Sequence, residues 1–152
     1  MDEQARPEVR IGGPVGDHIA IRVLGRAYPD ADDFGDGNWL STFIDFAVGQ
    51  FSGTVAASLR ADEFRSFHRA LKELDASLRG EALLESMEGW ISLRIAATSS
   101  GRLEIAGRLA DRPGDGNQLT FEIDGLDQSY LPAILTDLEV LLTRYPVLGN
   151  GD

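Results

Sequence analysis

The sequence predicts an α+β domain in two layers: a mainly antiparallel sheet of about six to seven strands, with two amphipathic helices packed on one face. Three observations carry that expectation. Apolar residues alternate with others in three successive runs, through Ile91, Leu93 and Ile95, through Leu103, Ile105 and Leu109, and through Leu119, Phe121 and Ile123. Successive strand side chains point to opposite faces, so each run reads as a strand with one apolar side. Two other stretches space their apolar residues by three and four: Phe64, Phe67, Leu71, Leu74 and Leu78 in one, Leu131, Ile134, Leu135, Leu138 and Leu142 in the other. Such stripes belong to helices lying on a core. Elements that are apolar on one side have one economical arrangement, with both helices against the apolar face of the sheet.

In chain order, residues 1–17 carry Pro7, Gly12, Gly13, Pro14 and Gly16 with little periodicity and read as a loose arm, with a short strand expected near residues 9–11. Residues 18–146 form the single domain. Its first strand, 18–28, alternates Ile19, Ile21 and Val23 with Ala20 and Arg22 and stops at Pro29. An acidic loop leads to a second strand over 38–48. Gly49-Gln50 then turns the chain into a third, with Phe51, Gly53, Val55, Ala57 and Leu59 in alternation, which is a hairpin pattern. The first helix starts at Asp62, and Gly80 stands where a glycine is wanted after its last turn. Residues 81–87 resume as a strand. Glu88-Gly89 is either a hairpin turn or a bulge in a strand that runs on. Ser99-Ser100-Gly101 and Arg112-Pro113-Gly114-Asp115-Gly116 separate the last three strands. Asp127 or Ser129 is available to cap the second helix, Pro132 suits its first turn, and Tyr145-Pro146 ends it, leaving 147–152 as a frayed tail.

Length and composition narrow the function. A chain of 152 residues, 43% of them hydrophobic, is of ordinary size for one domain and buries a real core. A formal net charge of -11 repels phosphate backbones and anionic lipid headgroups, so the expected partner is a basic protein, with no nucleic acid and no membrane. The absence of cysteine removes disulfides, thiolate zinc sites and cysteine nucleophiles. Met1-Asp2-Glu3-Gln4 is acidic with no apolar segment after it, and no run is long enough to span a bilayer, so a cytoplasmic location is expected.

The charge is unevenly distributed. Residues 27–59 hold Asp30, Asp32, Asp33, Asp36 and Asp45 and no base, while residues 111–152 hold eight acids against Arg112 and Arg144. Those two segments supply the entire net charge. Each also carries Gly-Asp-Gly-Asn just before a strand, at 35–38 and at 114–117. Both read as turns whose glycines supply positive φ. A hairpin at Glu88-Gly89 brings the two loops to one end of the sheet as an acidic rim, whereas a bulge sends them to opposite ends. Asp30, Asp32, Asp33, Asp36, Asp111 and Asp115 are therefore the candidate partner-binding residues.

Constellations for chemistry are weak. Asp30, Asp32 and Gly35 match positions of a calcium loop, but Phe34 and Ser41 stand where ligands are required and strands flank it, so a solvated acidic turn is expected. His18 and His68 lack metal-ligand spacing and a nucleophile elbow. Glu85 and Glu88 form a carboxylate pair of the kind any chain with 25 acids offers. Trp39 and Trp90 read as packing. No catalytic, cofactor-binding or metal-ligating residue is expected.

One ordered set of stretches goes further: residues 36–40, Phe51-Ser52-Gly53, residues 86–93, residues 114–121, residues 127–132 and Tyr145-Pro146. Together they resemble the WapI-like family of bacterial immunity proteins, over roughly residues 18–146. The resemblance implies a small intracellular protein that binds and neutralises the toxin domain of a polymorphic or contact-dependent toxin, commonly a nuclease, without enzymatic activity. Two other readings are weighed against it. An adaptor or chaperone for a secreted effector calls for a large exposed apolar patch. A small acid-catalysed hydrolase calls for two buried acids in a cleft.

Overall fold

The computed structural model describes residues 6–150. Eight strands and three helices follow one another as β1 (Glu8–Gly12), β2 (His18–Arg26), α1 (Phe34–Gly37), β3 (Trp39–Val48), β4 (Phe51–Arg60), α2 (Ala61–Ser77), β5 (Glu81–Glu85), β6 (Ile91–Ala97), β7 (Leu103–Ala110), β8 (Gln118–Ile123) and α3 (Leu131–Arg144), the last entered through a 3₁₀ turn at Gln128–Tyr130. The α+β class holds, as does the antiparallel pairing. The single sheet of six to seven strands does not: β1-β2-β3-β4 and β5-β6-β7-β8 are two separate four-stranded sheets. Alternation fixes which face of a strand is buried, not which strand is its neighbour, so one sheet and two leave the same pattern. Here the 17 residues of α2 carry the chain about 25 Å between β4 and β5, and β5 takes its partner from β6.

Within the first sheet the Gly49-Gln50 hairpin pairs Val48 with Phe51 and continues in register to Trp39 with Arg60. The short strand near residues 9–11 is present, paired antiparallel with β2. Between β2 and β3 the register shifts at Val23/Gly25, a bulge that re-aims the end of β2, including Arg26. Glu88-Gly89 lies in a hairpin turn: β5 and β6 pair antiparallel, and the Gly89 N–H donates to the Ser86 carbonyl.

Helix α2 buries Ala61, Phe64, Phe67, Leu71 and Leu74, and Leu78 leaves the expected stripe because it takes the left-handed position that ends the helix (φ 54°). Gly80 (φ 85°) then serves the turn into β5 rather than the helix cap. Asp127 caps the 3₁₀ turn, accepting from the Ser129 N–H, and Leu141 replaces Leu142 as the last fully buried residue of α3. Leu142 packs at the margin of the core. Helix α2 packs against β5 and α3, and α3 against β1, and the buried faces of both sheets and both long helices meet in one continuous core.

Residues 1–5 of the N-terminal arm and 151–152 of the tail lie outside the described residues. Inside them, the tail at Leu148 is held on both sides of its peptide: its N–H donates to Asn38 Oδ1 at 2.8 Å and its carbonyl accepts from Asn38 Nδ2 at 3.0 Å.

Candidate partner-binding surface

The first acidic loop is built around four helical residues. Asp33 precedes α1 and its Oδ2 accepts the Asp36 N–H at 3.0 Å, the role short polar side chains play at a helix start. The carbonyls left over are taken by three side chains outside the helix, two from other strands and one from the residue that follows it. Arg60 donates to the Phe34 and Gly35 carbonyls at 2.6 and 2.8 Å, Arg26 to the Gly37 carbonyl at 2.7 Å, and Asn38 to the Phe34 carbonyl at 3.0 Å. Cationic groups at a helix carboxyl end also match its dipole. Arg60 is 3% exposed, pairs with Asp62 at 3.0 Å, and lies 5.0 and 4.9 Å from the Phe34 and Trp39 ring centroids. Asp30, Asp32, Asp33 and Asp36 are all exposed. Among the described residues none of the four pairs with a base.

The second loop is tied within itself. Asp111 Oδ1 accepts the Asn117 N–H at 2.8 Å and its Oδ2 accepts Asn117 Nδ2 at 3.0 Å. The Asn117 amide, then the Asn117 N–H, hold the Asp111 carboxyl below its usual range. Asp115 pairs with Arg112 at 3.2 Å, on the open surface.

The Ser86–Trp90 turn, residues 86–90, touches the neighbourhood of both loops. On one side Glu88 shares a cleft of about 180 Å³ with Ala27, Tyr28, Trp39 and Ser58, next to the start of the Asp30 loop. On the other, the Trp90 carbonyl accepts the Ala110 N–H at 3.0 Å, just before Asp111. Glu63 fastens this turn to the first sheet, its Oε1 accepting the Arg60 N–H at 2.9 Å and its Oε2 the Met87 N–H at 2.6 Å. Burial pushes the Glu63 carboxyl above its usual range, against the pull of those two backbone donors. The six candidate acids thus fall into two groups: Asp33 and Asp36 are joined directly, Asp30 and Asp32 flank them, and Asp111 and Asp115 stand on the second sheet.

Arg60, Asn38 and Arg26 escaped the sequence reading, which placed the loop in a base-free segment. The signal for Arg60 was its position, a base set between buried Leu59 and Ala61 where a strand passes directly into a helix. His18 Nδ1 contacts the Gly16 carbonyl at 3.0 Å and His68 Nε2 contacts Glu139 Oε2 at 3.1 Å, joining α2 to α3. Among the described residues no group of three or more His, Cys, Asp or Glu side chains gathers as a metal site, and no helix is long and apolar enough to cross a membrane.

Comparison with curated proteins finds no match. Comparison with protein families does: residues 10–146 match the immunity protein WapI-like family, a span that takes in every strand from the middle of β1 onward and both long helices. With so much of its length inside that match, the chain belongs to the WapI-like family of immunity proteins.

Proposed function

We propose that this immunity protein neutralises a cognate toxin domain by binding it in a stoichiometric complex, and that it acts in the cytoplasm of the producing cell. Membership of the family supports toxin binding. Charge is the observation that carries the mode: Asp30, Asp32, Asp33, Asp36, Asp111 and Asp115 are exposed, and they stand on the two segments that supply the net charge of -11. A nuclease fits such a partner, because an enzyme that holds a phosphate backbone presents a cationic cleft. Between an acidic and a basic protein, steering raises association to about 10⁸–10⁹ M⁻¹ s⁻¹ at low salt.

The test uses the carboxy-terminal toxin domain encoded beside this gene, mixed with the protein in a stopped-flow instrument over a range of salt. Replacing the six aspartates by asparagine slows association about ten-fold or more at low salt and flattens its salt dependence. Unchanged kinetics would reject these carboxylates as the steering group, and the absence of any complex would reject the function.

A further inference from the structure

Strand β4 ends the first sheet and pairs on one side only, with β3. Its register shows what the other side offers. Across a two-residue turn Val48 and Phe51 form a hydrogen-bonded pair, so Phe51, Gly53, Val55, Ala57 and Leu59 turn their peptide groups toward β3. Two contacts agree: the Ala57 carbonyl accepts the Thr42 hydroxyl at 2.8 Å, and the Arg60 N–H points away from β3 to Glu63. The N–H and C=O groups of Ser52, Thr54, Ala56 and Ser58 therefore face outward, and Ser52, Thr54 and Ala56 are exposed.

Natural sheets guard such edges with lysine, proline, inward charges or bulges. From Phe51 to Leu59, before the buried Arg60 that ends the strand, this one has no such guard: residues 46–59 contain no charged residue but Asp45's neighbours and no proline, and β4 keeps register with β3 throughout. A cleft lies at each end of the edge. Near Phe51, a space of about 450 Å³ reaches Leu119 and Phe121 of β8 and includes Asp17 and Glu122. Near Ser58 lies the smaller cleft with Tyr28, Trp39 and Glu88. Carboxylates line both, and no lysine or arginine lines either.

We propose that β4 accepts an extended segment of the cognate toxin as a fifth strand of the first sheet, with basic side chains of that segment meeting Glu122 at one end and Glu88 at the other, an inference that rests on the toxin-binding function above. Main-chain pairing supplies the fit and the flanking charges supply the choice of partner. Charge also selects this occupant over a second copy of the chain. A second β4 brings no free base to answer those carboxylates, since its one base, Arg60, is buried and paired with Asp62, and each copy carries a net charge of -11.

Hydrogen exchange on the complex with the neighbouring-gene toxin domain tests the pairing. The amides of Ser52, Thr54, Ala56 and Ser58 slow at least ten-fold on binding, while those of Gly53, Val55 and Ala57 are protected already in the free chain. Thr54→Pro removes one outward N–H without touching the β3 ladder and weakens binding more than ten-fold, whereas Thr54→Ala binds as the unaltered chain does, since only the side chain has changed. The exchange result stands on its own if the proline variant fails to fold. A complex that leaves the four amides exchanging freely overturns the strand pairing and leaves the toxin-binding function standing, and no complex overturns both. A free chain that sediments as a dimer with those amides already protected gives the edge to a second copy and overturns the proposal.

Discussion

The tetrapeptide Gly-Asp-Gly-Asn occurs twice and folds two ways. At 35–38 it completes a four-residue helix and ends in an asparagine that is fully buried, bonded to the Phe34 carbonyl and to both peptide groups of Leu148. At 114–117 it is a surface turn whose asparagine holds only Asp111. The glycines differ too. Gly114 has φ 86°, as a turn glycine does, whereas Gly37 is needed for space: a Cβ there would sit 3.0 Å from the Ala31 carbonyl oxygen and 3.0 Å from Leu148 Cδ1. Positive φ, expected at both sites, therefore applies at the second, where Gly114 adopts it. Four identical residues carry the same local preferences, so the choice is made by what reaches them from far along the chain, Arg60 and Leu148 in one case and nothing beyond the loop in the other.

Arg60 is where this contrast breaks most readily. Arg60→Met keeps much of the aliphatic packing but strips the cap from the Gly35 carbonyl, takes one of two donors from the Phe34 carbonyl and leaves Asp62 without its buried partner. A loss of about 3 kcal/mol is expected in urea unfolding, the lower end of the range for breaking a buried pair. Next comes the matched pair of asparagines. Asn38→Ala leaves the N–H and carbonyl of Leu148 without their partner, takes one of two donors from the Phe34 carbonyl and costs about 2–3 kcal/mol, while Asn117→Ala, on the surface, stays within about 0.5 kcal/mol. Equal losses at the two sites would mean that the buried and exposed settings do not differ as the hydrogen bonds say.

Much of the fold was legible because period and punctuation are local. The alternation in Ile91, Leu93 and Ile95 and the stripe Phe64, Phe67, Leu71 and Leu74 found their elements directly, and Pro132 and Tyr145-Pro146 marked where α3 begins and ends. Partner choice was not legible, since a strand's pattern is indifferent to its neighbour, and so two sheets were read as one. Helix α1 was missed for a related reason: four residues have no periodicity, and their helical turn depends on Arg26, Arg60 and Asn38, which lie on other elements or after it. At the candidate surface the exposed acids were readable from composition, while the Glu63 bridge from β4 to the Ser86–Gly89 turn, residues 86–89, exists only in three dimensions.

The smallest effect expected is in the titration of the second loop, and its sign separates two carboxylates. Asp111 has a folded pKa below its ordinary 3.8, chiefly because the Asn117 side-chain amide favours the charged form. It therefore contributes stability at pH above that ordinary value, and the contribution fades as pH falls through the lowered one. Glu63 runs the other way: burial raises it above its ordinary 4.5, so its contribution is complete below that value and is lost as pH rises through the raised one. Carboxyl carbon shifts followed by NMR resolve the two. In Asn117→Ala the Asp111 midpoint climbs back toward 3.8 while that of Glu63 stays where it was, because nothing of the second loop touches Glu63. An Asp111 midpoint that ignores the substitution would show that Asn117 does not hold this loop. The second tetrapeptide would then lack the local tie that distinguishes it from the first.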